Sequence, residues 1–308
     1  MKKLNHKNAL SATVSMLMTL TVCSSVSQAS DIDIYSNATG GKTTIMLMLD
    51  TSGSMSESQV GGSACDLASG TSYTAGNEPS GTTPGYTKYF CAVNIPGSSS
   101  QQKHYDRLTR LKDAIFTLMD SNQIDSNSVA MGIGQFSSQS ESDNVYTSVD
   151  GISGKIVVPA ALLSTTQRTA IKTAVANLRG RGGTPTANAY AEVAAYMLGT
   201  NTSTASNLGY SGFSKSVLGS KVGSSSTATN YQTPLSTTNT QCNGQGIYFL
   251  TDGEPNSSPA PVPLMQAALG ANGSSFSVPA TGTLPNGTQN GHGMPAVGEF
   301  AKALRNQR

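Results

Sequence analysis

Five oxygen-bearing side chains in three separated segments carry the chemistry that can be read in this sequence. Asp50-Thr51-Ser52-Gly53-Ser54-Met55 spaces a carboxylate and two hydroxyls at alternate positions. Gly182-Gly183-Thr184-Pro185-Thr186 offers Thr184 in a glycine-rich turn, and Thr251-Asp252-Gly253 supplies a second carboxylate. Carboxylate and hydroxyl oxygens are hard ligands that suit Mg²⁺, Mn²⁺ or Ca²⁺ rather than zinc. Each residue also has a plainer reading: Asp50 or Ser54 as the cap of the next element, Asp252-Gly253 as a turn. Their joint occurrence with Thr184 favours a site. Catalysis is not expected. His104 and His292 lie away from these loops and His6 lies in a leader, so no general base is placed. No Ser-His-Asp set, activated cysteine or carboxylate-rich two-metal cluster is evident either.

Such residues act together only if the chain delivers them to one place. Thr43 to Leu49 is a continuous apolar run that stops at Asp50, the pattern of a central parallel strand buried on both faces. Val129 to Phe136 and Gly246 to Leu250 read as further strands. Val145 to Val149 and Lys155 to Pro159 read as one or two more, pairing back as an edge hairpin. Helices are predicted over about 105–121, where Leu108, Leu111, Ile115, Leu118 and Met119 fall at helical spacing, and over about 166–178, 187–198 and 296–306. A weaker one falls near 262–269. Pro185 is tolerated at the entry to the third helix because first-turn amides have no intrahelical acceptor. Strands alternating with helices imply an α/β fold, a mostly parallel sheet with helices on both faces. In such a sheet the loops beyond the carboxyl ends of the strands gather on one edge and build the binding crevice. Long polar stretches interrupt the pattern at about 56–103, 200–242 and 255–295.

At Asp50, Ser52, Ser54, Thr184 and Asp252 the chain resembles the von Willebrand factor A (vWA) domain with its metal-ion-dependent adhesion site: Asp-x-Ser-x-Ser after the first strand, a Thr in the second loop, an Asp after the fourth strand. The resemblance spans about residues 43–308 and implies a three-layer, Rossmann-like sandwich. It also implies a divalent cation, Mg²⁺ first and Mn²⁺ or Ca²⁺ as alternatives. In the family the two serines and the threonine touch the metal directly, and the aspartates often act through water. A metal held mostly by neutral hydroxyls keeps much of its charge, and its open side attracts a partner's Glu or Asp. A narrower resemblance lies in Leu49 to Met55 and in Tyr248-Phe249-Leu250-Thr251-Asp252-Gly253-Glu254-Pro255-Asn256, which look like the N-terminal A domain of the PilC/PilY proteins of type IV pili. It implies an exported adhesion or assembly module at a pilus tip, with a protein ligand or pilus subunits presenting the carboxylate. Alternatives are a secreted non-pilus vWA adhesin and a purely structural pilus-biogenesis subunit. The C-terminal β-propeller of that family is missing here, so nothing it carries is transferred. Asp31-Ile32-Asp33 lacks the glycine and glutamate of an EF-hand loop.

Composition and leader agree with export. Of the 308 residues only 12% are charged, about half the usual ~25%, so the polar surface comes from Ser, Thr, Asn and Gln. Residues 1–29 read as a signal peptide. Lys2, Lys3 and Lys7 precede an apolar stretch from Ala9 to Val22, and Ser27-Gln28-Ala29 provides the small residues of a cleavage site. The apolar run is short for a membrane anchor, and no later segment is long and apolar enough to span a bilayer. Residues 30–308 are then one A-like domain in the periplasm, at the cell surface or at a pilus tip, expected to lack its last strand and a C-terminal domain. The formal charge of +2 falls to about −1 without the leader. With no basic patch, nucleic-acid binding is not expected.

Cleavage leaves Cys65, Cys91 and Cys242. A Cys65–Cys91 bridge would close a polar loop with little apolar content of its own, contributing roughly 3 kcal/mol, and an oxidising compartment would preserve it. The alternative is two unpaired thiols. Cys242 is left without an assigned partner, and no CxxC spacing suggests metal. Topology places 56–103 and the segment after Glu254 at the rim of the metal site, the former choosing the partner or serving as a spacer. It places 200–242 at the opposite end unless that segment wraps. Arg179 and Arg181, beside the Thr184 loop, either attract an acidic partner or are solvated surface residues.

Overall fold

A computed structural model describes residues 42–55, 73–121, 123–136, 151–206, 208–224, 226–235, 243–252, 255–258, 261–278 and 293–306. The leader, Cys65, Cys242, Glu254 and the strand expected at 145–149 lie outside them.

The apolar run at the start forms β1 (Thr43–Asp50), and it is central. It pairs in parallel with β5 (Val129–Phe136) on one side and with β7 (Gln245–Leu250) on the other. β6 (Gly154–Leu162) pairs antiparallel with β5. The spatial order is therefore β6-β5-β1-β7, a mixed and mostly parallel sheet compatible with a Rossmann-like arrangement. The chain moves from β1 toward β5 and β6, then returns to place β7 on the far side of β1. The strand order thus reverses between β1 and β7, where open α/β sheets bind ligands beyond their carboxyl ends.

Alternation along β1 feeds two separate cores. Leu47 and Leu49 pack with α1 (Arg107–Asp120) and α2 (Thr165–Asn177), through Ile115, Phe116, Ile171 and Val175. Met46 and Met48 pack with α3 (Thr186–Leu198), α4 (Pro261–Leu269) and α5 (Met294–Arg305). Helix α3, rich in alanine, is buried nearly all round, and it closes at Gly199 in the left-handed conformation (φ 73°) that favours glycine. Gly132 and Gly134 on β5 make room for the two methionines. A Cβ on Gly134 would lie 2.3 Å from the Met48 Sδ, and one on Gly132 would lie 2.6 Å from the Met46 Sδ.

One segment differs from the sequence expectation. The turn-rich insertion at 56–103 contains an antiparallel sheet of β2 (Tyr73–Pro79), β3 (Thr87–Asn94) and β4 (Gln101–Tyr105). Its strands show little apolar alternation, and all of β4 but Tyr105 is exposed. Cross-strand groups join them: Glu78 on β2 accepts hydrogen bonds from Lys103 and Tyr105 on β4. Cys91, buried in β3, is disulfide-bonded, and its partner lies outside the described residues, as does the expected pairing with Cys65.

The excursion, expected at the opposite end of the sheet unless it wraps, takes the second course: its residues 200–235 wrap along the outer edge of β6. There Val217 N donates to Ile156 O at 3.0 Å and Ile156 N donates to Ser216 Oγ at 2.9 Å. Gly212 is pressed so closely on β6 that a Cβ would fall 1.5 Å from Gly154 O. Gly154 pairs with Phe136, which pairs with Asp50, so the excursion reaches the crevice end of the sheet. An otherwise bare strand edge is thereby covered.

Candidate metal centre

Asp50 ends β1 at the switch point and is fully buried. Its Oδ1 accepts the Ser52 amide at 2.7 Å, closing an Asx-type turn. Its Oδ2 accepts the Thr251 hydroxyl at 2.7 Å from the end of β7. The next residues form a short 3₁₀ turn, Gly53–Met55, whose Met55 side chain is buried with α1 and α2. The turn brings the two serine hydroxyls within 3.0 Å of each other. Ser54 Oγ in turn donates to Asp252 Oδ1 at 2.8 Å. Asp50, Ser52, Ser54 and Asp252 are thus joined into one polar relay across the carboxyl ends of β1 and β7.

Thr184 enters by a different route. Lys112 on α1 reaches through the core to donate to Ala176 O and Leu178 O at 2.9 and 2.7 Å, neutralising the carboxyl end of α2. That fixes where the glycine-rich loop begins. Arg181 N then donates to Thr51 O at 2.7 Å, and Gly53 N donates to Gly182 O at 2.9 Å, locking this loop onto the Asp50 turn. Thr184 itself is buried. Its amide donates to Asn256 Oδ1 at 2.8 Å, and its carbonyl accepts the Asn256 amide at 3.0 Å. Gly183 lies under the same loop, where a Cβ would meet Ser257 Oγ at 2.3 Å. The Thr184 hydroxyl makes no hydrogen bond to the other four residues. Its loop is docked on theirs, but only those four are in direct side-chain or turn contact.

Burial pushes the Asp50 carboxyl above its ordinary range, and the charge of Asp252 adds to this. Hydrogen bonds from Ser52 and Thr251 oppose the shift without cancelling it. Two carboxylates close together, one of them fully buried, make a site short of positive charge. The basic group nearby is Arg107, the first residue of α1. Its Nη1 donates to Asp252 Oδ2 at 2.5 Å and lies 3.4 Å from Ser54 O. Arg179 and Arg181 are exposed, and Arg181 contributes its backbone amide.

Thr251, Asn256 and Arg107 were not singled out from sequence. The first two lie within the Thr251–Asn256 motif, but nothing in their type distinguishes a group that holds a ligand in place from an ordinary turn residue. Arg107 precedes an amphipathic helix and gives no signal of its own. Among the described residues no group of three or more His, Cys, Asp or Glu side chains is assembled. The relay instead mixes two carboxylates with hydroxyls. No described helix is long and apolar enough to cross a membrane. Comparison with protein-family models, with curated proteins and with solved structures yields no match.

Proposed function

We propose that this chain is an exported adhesion or assembly module of a type IV pilus, built as a three-layer vWA sandwich. In this reading it binds a partner carboxylate through a divalent cation held by Asp50, Ser52, Ser54, Thr184 and Asp252. The observation that carries the proposal is the unbroken relay from Asp50 through Ser52 and Ser54 to Asp252 at the switch point of the sheet. Two hydrophobic clusters, reached by alternate residues of β1, support the three layers.

The donor set fits a hard cation: carboxylate and hydroxyl oxygens without sulfur or imidazole. Mg²⁺ is the first choice, with Mn²⁺ or Ca²⁺ also suited. Such an ion supplies the positive charge that a partner's Asp or Glu would complete. The chain's own residues supply rigidity. Thr251 and the Ser52 amide hold both oxygens of Asp50, the Gly53–Met55 turn sets the serine spacing, and Asn256 pins the Thr184 backbone. In this reading the protein acts by binding a partner. A purely structural role in pilus biogenesis is the second reading, favoured by the way the four relay residues and Arg107 already satisfy one another.

Thermal unfolding in chelator and then in millimolar Mg²⁺, Mn²⁺ or Ca²⁺ tests the site, with Asp50→Ala alongside. A cation that binds only the folded chain adds RT ln(1 + [L]/Kd), about 2.7 kcal/mol at a hundredfold excess over Kd. A rise that Asp50→Ala abolishes upholds the site. A cooperative melt indifferent to all three ions overturns it in favour of the structural role. Deleting the chain from its source then separates two uses: lost fibres indicate assembly, whereas normal fibres with lost attachment indicate adhesion.

A further inference from the structure

We propose that Arg107 is an internal competitor for the cation: its guanidinium and a divalent ion contend for the same Asp252 carboxylate, so Arg107 sets the concentration at which the site loads. This rests on the proposed cation site and adds a regulating residue to it.

Three observations converge on the arginine. First, it is the opening residue of α1, at the end of the helix where the backbone dipole disfavours a cation. A nearby anion offsets that effect, and the described ion pair of Arg107 is with Asp252, 145 positions along the chain. Second, the contact is central to the site. Nη1 lies 2.5 Å from Asp252 Oδ2 and 3.4 Å from Ser54 O, while the other Asp252 oxygen accepts Ser54 Oγ at 2.8 Å. Any ion bound between Ser54 and Asp252 therefore meets a positive charge a few ångströms away for as long as the guanidinium stays on Asp252. At that separation like charges oppose each other appreciably even in a partly solvated setting.

Third, the arginine is free to withdraw without disturbing the fold. Its side chain is 52% exposed, against 7% for Asp252. The backbone beneath it is pinned. Asp106 caps α1 by accepting the Thr109 amide at 2.7 Å, and the Asp106 amide donates to Tyr89 O at 2.9 Å on β3. Release of Asp252 is therefore a change of rotamer, leaving the guanidinium at the rim of the crevice beside the inserted sheet. There it would face an incoming acidic ligand.

The test is calorimetric titration of the full chain with MgCl₂ alone, comparing the parent with Arg107→Ala, Arg107→Gln, Arg107→Lys and Asp50→Ala. Competition by charge predicts that Arg107→Ala and Arg107→Gln both bind Mg²⁺ about tenfold more tightly. Arg107→Lys should stay near the parent, and raised NaCl should narrow the differences. Arg107→Gln retains a donor for Asp252, so it separates charge from positioning. If Arg107→Ala binds Mg²⁺ more weakly while Arg107→Gln matches the parent, the arginine orients Asp252 and the competition is overturned. Equal affinity in all the Arg107 variants overturns it too, with the cation site itself intact. Mg²⁺ binding by Asp50→Ala equal to the parent's, or no binding by any variant, removes the cation site and this inference falls with it.

Discussion

The segments 73–105 and 200–235 are both polar interruptions of an α/β pattern, yet they fold by opposite means. The first makes its own three-stranded ladder and attaches to α1 along one side, with Tyr86 buried against that helix. Among the contacts are Tyr86 against Phe116 with ring centroids 5.0 Å apart, the Lys88–Asp113 ion pair at 2.8 Å, and Tyr89 N on Thr109 Oγ1 at 3.1 Å. The second has no strand or α-helix among its described residues and enters the main core. Phe213 and Tyr231 are buried there with centroids 4.8 Å apart. Tyr231 converges with Thr202 and Gly212 on Glu192 of α3, whose Oε2 accepts Thr202 Oγ1 at 2.8 Å and Gly212 N at 2.7 Å while Oε1 accepts the Tyr231 hydroxyl. A polar segment can thus satisfy its backbone with a ladder at the surface or borrow a buried acceptor from the core. The first solution should fail locally and the second globally.

The strongest way to break that contrast is Gly212→Val. A side chain there meets the backbone of Gly154, which cannot move aside, so the excursion must detach and uncover both β6 and the Glu192 carboxylate. A loss of at least ~3 kcal/mol in urea unfolding is expected. A change below 1 kcal/mol, on the order of a surface substitution, would mean the excursion is not integral to the core.

Next in size is a pH effect. Burial pushes Glu192 up to about 7, against the pull of its three hydrogen bonds. The unfolded carboxyl, with its ordinary value of 4.5, releases its proton first, so the folded state binds more protons in between. Stability should be full below pH 4.5, decline as pH rises through 7 and then level, by about 3 kcal/mol. Glu192→Gln should flatten the decline, as read from urea midpoints across pH. An unchanged slope in that variant would assign the effect elsewhere.

On the other side of the comparison, with Cys65 as the partner that the sequence favours, reducing the Cys91 disulfide should act on β2–β4 alone. Hydrogen exchange is expected to report openings there that are easier by roughly 2 kcal/mol, while β1 and β5 keep their protection. Equal loss in both sheets would show that the insertion and the core unfold as one unit. The smallest effect is assigned to Tyr86→Phe. It removes the phenol bond to Asp113, which keeps Lys88, and should cost about 1 kcal/mol.

The same contrast explains what the sequence discloses. Thr43–Asp50 and Val129–Phe136 were legible because a strand buried on both faces is a continuous apolar run. Gln101–Tyr105 was not, since its partners are a glutamate and a backbone ladder rather than a hydrophobic face. The burial of 200–235 rests on single aromatics far apart in sequence and on Glu192, an acid inside an alanine-rich helix. Neither produces a periodic signal. At the site, Asp50, Ser52, Ser54 and Asp252 declared themselves by type and spacing at strand ends. Arg107 did not, because a charged residue at the start of a helix looks like solvent-exposed surface until its distant partner is known.

The glycines of β5 have a consequence for descent. Gly134 and Met48 divide one space between neighbouring strands, as do Gly132 and Met46. Neither member of a pair can change freely alone. A side chain gained on β5 overfills the gap, and one shortened on β1 leaves it empty. Relatives of this chain should therefore inherit positions 48 and 134 as a single character, an alanine at 134 accompanied by a smaller residue at 48. The same coupling should be weaker between 46 and 132, where the backbone of β6 at Val158 and Ala160 already holds position 132 to glycine.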